Sequence, residues 1–181
     1  MIENRKTLIH PTPIDIIFCY SEYQPAYSQL SKDKNIRFIK GLEFTLDDSS
    51  TPRMIVIDDL MTSSSQNREV QELFTRGVHH SNTSVIFLTQ NIFNQGKYAR
   101  DMRLNTHYYC LFRSPSFLSQ VAHIGRQLMP DKKNFILEAY KDATKAPYTY
   151  LLIILHPSSD DQLRVRAGIL PHENEIIYLP S

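Results

Sequence analysis

Two short apolar runs with polar ends, separated by one amphipathic segment, constrain this chain more than any other feature. The first is MIVIDDL (Met54–Leu60), four apolar residues followed by the adjacent acids Asp58 and Asp59. The second is SVIFLTQN (Ser84–Asn91), which closes on Gln90 and Asn91. Continuous apolar runs of this length read as strands buried on both faces of a parallel sheet. Between them NREVQELFTRGVHH (Asn67–His80) places Val70, Leu73, Phe74, Gly77 and Val78 at helical spacing. Strand, helix, strand predicts a crossover unit, and each strand delivers its polar residues at its carboxyl end. That edge is where open α/β sheets bind ligands, so two carboxylates and a carboxamide are expected at one rim.

Such a rim suits phosphoryl transfer assisted by magnesium. An apolar strand ending in paired acids has the form of a Walker B element, in which one acid holds Mg²⁺ and the other serves the attacking water. A glutamine ending the neighbouring strand is placed to sense the γ-phosphate. The alternative is a strand end whose acids cap the following turn.

The ordered series MIVIDDLM, LFTRGVHHSNTSVIFLTQNIF and LNTHYYCLFRSP resembles the packaging-ATPase group of the FtsK/HerA superfamily of P-loop NTPases. The likeness is to poxvirus-type genome-packaging ATPases and their relatives in large DNA viruses and in Polinton-type elements. FCYSEYQPAY (Phe18–Tyr27), EAYKDATKAPYTYLLIILHP and LRVRAGILP are similar to that group too, so the resemblance covers nearly the whole chain. It implies a RecA-like core: a mostly parallel sheet flanked by helices, with late antiparallel edge strands. It implies ATP and Mg²⁺ as cofactors, double-stranded DNA as partner and a homo-oligomeric ring. Asp58 would hold Mg²⁺, Asp59 would serve the water and Gln90 would report on the γ-phosphate. Tyr20 and Gln24, with Glu22 and Tyr23, would lie near the nucleotide-binding edge, although tyrosines packing the sheet's rim is an equally open reading. Arg100, Arg103 and Arg113 are candidates for an arginine finger; contact to DNA phosphate or a solvated face are the alternatives. Many relatives carry glutamate at the second acid, and Asp59 is one methylene shorter.

One part of the pattern is missing. P-loop enzymes need GxxxxGK[ST], whose amides and lysine cradle the phosphates. The chain has five glycines; only Gly96 precedes a lysine, Tyr98 follows Lys97, and Asn91 stands where the first glycine belongs. Two readings follow. One is the ATPase domain of a viral or virus-derived DNA-packaging motor, inactive as this chain because the loop is absent. On that reading MIENRKTLIH is the last part of the helix that leaves the loop, and residues 1–181 are a single, amino-terminally truncated domain. The other is a non-catalytic, domesticated or degenerate module that binds or scaffolds.

The remaining features are consistent with an ordinary globular domain. The 181 residues are 41% apolar and 22% charged with a net charge of +1, so any DNA contact must come from local patches. Cys19 and Cys110 both fall in apolar runs, which predicts buried reduced thiols and an intracellular setting, in host cytoplasm or nucleus or within a virion. No long apolar span predicts a membrane helix. IDIIFCY (Ile14–Tyr20), IRFIKGLEF (Ile36–Phe44), HYYCLF (His107–Phe112), YTYLLIILHP (Tyr148–Pro157) and EIIYLP (Glu175–Pro180) read as further strands. LRVRAGIL (Leu163–Leu170) alternates and is expected at a sheet edge, with the late strands extending the core sheet. Asp47-Asp48 reads as a solvated turn and TSSSQN as a helix cap. His79-His80 reads as a helix-terminal pair rather than a zinc site, since no third ligand stands at metal-site spacing.

Overall fold

The computed structural model describes residues 1–45, 50–60, 68–77, 82–93 and 96–180. Asp47-Asp48, His79-His80 and the TSSSQN cap lie outside the described residues. The chain divides into two compact units, Met1–Asn105 and Thr106–Ser181.

The first unit is a mixed α/β fold built on a four-stranded parallel sheet. Its strands are β1 (Asp15–Tyr20), β2 (Ile36–Lys40), β3 (Arg53–Asp58) and β4 (Thr83–Leu88), in the order β2-β1-β3-β4. β1 and β3 are the two central strands, which is why their apolar runs are unbroken. Ile17, Cys19, Ile55 and Ile57 face one way and pack under Val70, Leu73 and Met102. Those three come from α3 (Arg68–Glu72), from the π-helical turn Leu73–Gly77 that continues it, and from α4 (Ala99–Leu104). Ile16, Phe18, Met54 and Val56 face the other way, with Tyr27 of α2 (Tyr27–Leu30) and with Ile2 and Ile9, which flank α1 (Arg5–Leu8). Each apolar residue of β1 and β3 therefore finds a helix or loop to cover it. Full burial of an isoleucine is worth about 1.5–3 kcal/mol, so these strands dominate the unit's core.

β1 continues through α2 to β2 on one side, whereas β3 continues through α3 to β4 on the other. The crossovers diverge at the β1–β3 pair. In open α/β sheets such a switch point leaves a crevice outside the carboxyl ends of the two strands.

The second unit holds β5 (Tyr108–Phe112), β6 (Tyr150–Ile154), β7 (Val165–Ala167) and β8 (Ile176–Ile177), all antiparallel, in that spatial order. Two helices belong to it, α5 (Leu118–Leu128) and α6 (Phe135–Ala143); they pack on each other, and α6 packs on β6 and β7. This corrects the expectation that the late strands extend the core sheet. Their hydrogen bonds go to one another, because β6 is buried along its whole length and takes a neighbour on each side. β7 is likewise an interior strand rather than an edge, since Ile176-Ile177 pairs beyond it.

A second correction concerns the thiols. Cys19 is fully buried, and burial pushes its pKa up to about 11, but Cys110 is exposed. β5 is an edge strand on which Leu111 is buried while Tyr108, Cys110 and Phe112 point to the open face. An apolar stretch on an edge strand buries only one side.

Candidate active site at the carboxyl edge of the parallel sheet

Asp58 is the last residue of β3 and is half-buried; Asp59 follows it and is exposed. A φ of +53° at Asp59 ends the strand, a left-handed conformation that aspartate tolerates better than most residues. Ile57 and Asp58 pair in register with Phe87 and Leu88 of β4. Gln90 therefore stands two residues past the neighbouring strand's end, exposed, on the same edge as the acids. The chain after β4 is shaped locally: Asn91 N–H donates to Thr89 Oγ1 at 3.1 Å and Phe93 N–H to Asn91 Oδ1 at 3.0 Å.

On the other side of β3, Tyr20 ends β1 and is the register partner of Asp58. Tyr20 and Asp58 thus flank the crevice at the switch point. Tyr20 also belongs to an aromatic cluster with Tyr23, Tyr27 and Phe38. Gln24 is exposed, and its carbonyl accepts from Tyr27 N–H at 3.0 Å at the start of α2. Glu22 pairs with Lys40 at 3.1 Å, but both side chains are largely exposed, and such a pair contributes little.

The residue that the sequence reading passed over is Tyr27. Its hydroxyl donates to Asp58 Oδ2 at 2.5 Å, and its ring is almost completely buried. Burial, then the hydrogen bond to Asp58, then the charges of Asp58 and Asp59 push the Tyr27 hydroxyl well above the usual tyrosine range. It is thus a permanent donor. Tyr27 stands at the end of FCYSEYQPAY, and the signal for it was the Pro25-Ala26 start of a short helix.

The candidate arginines fall in different places. Arg100 is exposed at the beginning of α4. Arg103 is half-buried; it donates to the Ile92 carbonyl at 3.4 Å and lies 5.5 Å from the Phe93 ring centroid, bracing the chain that follows β4. Arg113 belongs to the second compact unit, where it donates to the Lys145 carbonyl at 3.1 Å.

Among the described residues no group of three His, Cys, Asp or Glu side chains is placed to hold a metal by itself. Mg²⁺ needs no such cage: it takes one or two carboxylates and completes its shell with water and phosphate oxygens. Among the described residues one Asp58 carboxylate oxygen accepts no hydrogen bond, and Asp59 is exposed. That donor set fits a hydrated Mg²⁺ and not a closed zinc or calcium cage. The small cavity lined by His10, Pro11, Arg53, Asn82, Thr83 and Ser84 lies at the opposite edge, where β3 and β4 begin.

No protein-family model, curated protein or solved structure matches the chain.

Proposed function

We propose that the chain carries the acid-bearing half of an ATP-hydrolysing α/β core of the RecA-like, DNA-packaging kind. The single observation that supports this most is the common edge: Asp58 ends one parallel strand and Gln90 lies two residues past the end of the adjacent one, beside the switch point that Tyr20 and Asp58 flank. Asp58 holds the hydrated cation through its open oxygen. Asp59, on the solvent side, orients the attacking water. Gln90 extends past β4 toward the position of a terminal phosphate. Bound Mg²⁺ supplies charge neutralisation on the phosphate oxygens. Double-stranded DNA and further copies of the chain belong to the same reading, with exposed Arg100 and Arg113 available for phosphate contact.

The chain by itself does not turn ATP over. Catalysis of phosphoryl transfer is chiefly positioning and charge stabilisation, and the sequence contains no Gly-rich loop to hold the phosphates. The same observation favours a second reading, a module that keeps the edge and its partners but has no catalytic task. Paramagnetic broadening by Mn²⁺, a Mg²⁺ surrogate, separates the two. The first reading expects broadening of amides near Tyr20, Asp58 and Gln90 that is lost in Asp58→Asn, with ATP hydrolysis at the level of a blank. No broadening at millimolar Mn²⁺ supports the non-catalytic module. Turnover well above the blank that disappears in Asp58→Ala contradicts the claim that the chain alone is inactive.

A further inference from the structure

We infer that Tyr27 is a positioning residue for Asp58: it holds one carboxylate oxygen and leaves the other open to a divalent cation. The cation half of this inference rests on the proposed function, whereas the link between the two side chains does not.

Tyr27 cannot easily be pushed aside. Its ring lies 4.9 Å from Phe18 and stacks on Phe38 at 5.9 Å, with Tyr23 edge-on at 5.5 Å. α2 is only one turn long, and the Tyr27 backbone is tied to it at both ends, by N–H to Gln24 O at 3.0 Å and by Ser31 N–H to Tyr27 O at 2.9 Å. The phenol therefore reaches Asp58 from the sheet face that carries Phe18 and Phe38, with its O–H aimed at Oδ2. Oδ1 makes no hydrogen bond within the described residues.

A carboxylate clamped in this way selects among cations. Mg²⁺ and Mn²⁺ accept a single carboxylate oxygen and keep their waters. Ca²⁺ takes more oxygens and gains from two-oxygen attachment to one carboxylate, which here must share Oδ2 with the Tyr27 hydroxyl. Tyr27 thus sets both the direction of Asp58 and its preference for small divalent ions. A tyrosine that served only to fill the core would leave that preference unchanged when its hydroxyl is removed.

Tyr27→Phe tests this while keeping the ring and its packing. In the unsubstituted chain Mn²⁺ broadens amides around Asp58, and Ca²⁺ displaces it poorly. In Tyr27→Phe the Ca²⁺ concentration for half displacement falls about fivefold. Independently of any cation, Tyr27→Phe and Asp58→Ala are combined in a double-mutant cycle on urea unfolding. The expected coupling is about tenfold in the unfolding constant, the size of a charge-assisted hydrogen bond. Additive effects in the cycle overturn the positioning role. An unchanged Ca²⁺-to-Mn²⁺ ratio in Tyr27→Phe, with coupling intact, overturns the selectivity. Absence of Mn²⁺ binding to the unsubstituted chain overturns the cation site and the first reading of function, while the cycle still decides the Tyr27–Asp58 link.

Discussion

Asp15 and Arg53 open β1 and β3 as register partners and are joined by a 2.7 Å ion pair. Arg37 of β2 adds a second cation to the same carboxylate, at 3.0 Å. At the far end of the same two strands the register partners are Tyr20 and Asp58. There Asp58 meets a phenol instead of a cation, and neither it nor Asp59 enters an ion pair among the described residues. The sheet therefore has one end where its acid is paired with two arginines and one where two carboxylates have no cationic partner among the described residues. Adjacent acids repel and favour a counter-ion. The paired end clamps the strands, and the other end is available to a cation.

The first prediction concerns the clamp. Burial raises the Asp15 pKa, but the hydrogen bonds from Arg53 and Arg37 outweigh it and hold the carboxyl below its ordinary value. A group depressed in the folded state contributes stability above its unfolded pKa of about 3.9, and that contribution is lost as pH falls through the lower folded value. Asp15→Asn is expected to cost about 2 kcal/mol at pH 7, because the buried Arg53 loses its 2.7 Å ion pair with Asp15. The difference between variant and parent should shrink below about pH 3. Urea unfolding at both pH values checks this, and a pH-independent difference contradicts it.

The thiols give a second expectation. Cys110 is exposed while Cys19 is fully buried, and desolvation raises the pKa of both thiols to about 11. A thiol reagent should modify Cys110 in the native protein, slowly at neutral pH because the thiolate is the reactive species, and Cys19 only when the chain unfolds, since access alone separates the two. Two equivalents of labelling in the native protein would show that β1 is not buried as described.

Much of the first unit was legible because its signal is local. A strand covered on both faces must be apolar throughout, so β1 and β3 declared themselves, and Asp58 fell at the edge where an apolar run ends. The β4 run gave Gln90 its place past the strand end, but β4 is an edge strand, half-buried or exposed beyond Thr83, and not the doubly covered strand its sequence predicts. The grouping of the late strands was not legible. YLLII reads as a buried strand in any sheet, and nothing local says that its neighbours are Leu111 and Val165 rather than the parallel strands. Tyr27 illustrates the same limit, since the contact with Asp58 spans 31 residues and depends on where α2 is carried by the fold. Local pattern fixes an element and its faces, while pairing partners depend on packing at long range.

In the second unit, Tyr150 ties the start of β6 to the segment that follows β7. Its hydroxyl donates to Glu173 Oε2 at 2.6 Å and accepts from Ile169 N–H at 3.0 Å, and Glu173 Oε2 also accepts from Leu170 N–H. Tyr150→Phe keeps the ring and removes both bonds, leaving the Ile169 amide without that acceptor. The expected loss is about 1–2 kcal/mol, read as a lower urea midpoint at unchanged slope. A loss below a few tenths would mean that water replaces the hydroxyl in that network.

Two glycines separate conformational cost from steric clash. Gly41 ends β2 with φ of +86°, and a Cβ built there meets nothing within 4 Å. Gly168 follows β7 with φ of +68°, but its Cβ would lie 2.0 Å from the Asn174 carbonyl oxygen and 2.8 Å from the carbonyl carbon. Both positions are in the left-handed region, so alanine at either costs about 1 kcal/mol for φ alone. At Gly168 the backbone of Asn174 must also move, and that backbone leads directly into β8, the outer strand of the antiparallel sheet. Gly41→Ala is therefore expected to lose about 1 kcal/mol and Gly168→Ala about 3 kcal/mol or more. Hydrogen exchange distinguishes the mechanism as well as the size. In Gly168→Ala the Tyr178 amide, which donates to Val165 O at 2.8 Å, should lose its protection while the amides of β6 keep theirs. Equal losses in the two variants would show that the Gly168–Asn174 approach is not a tight one.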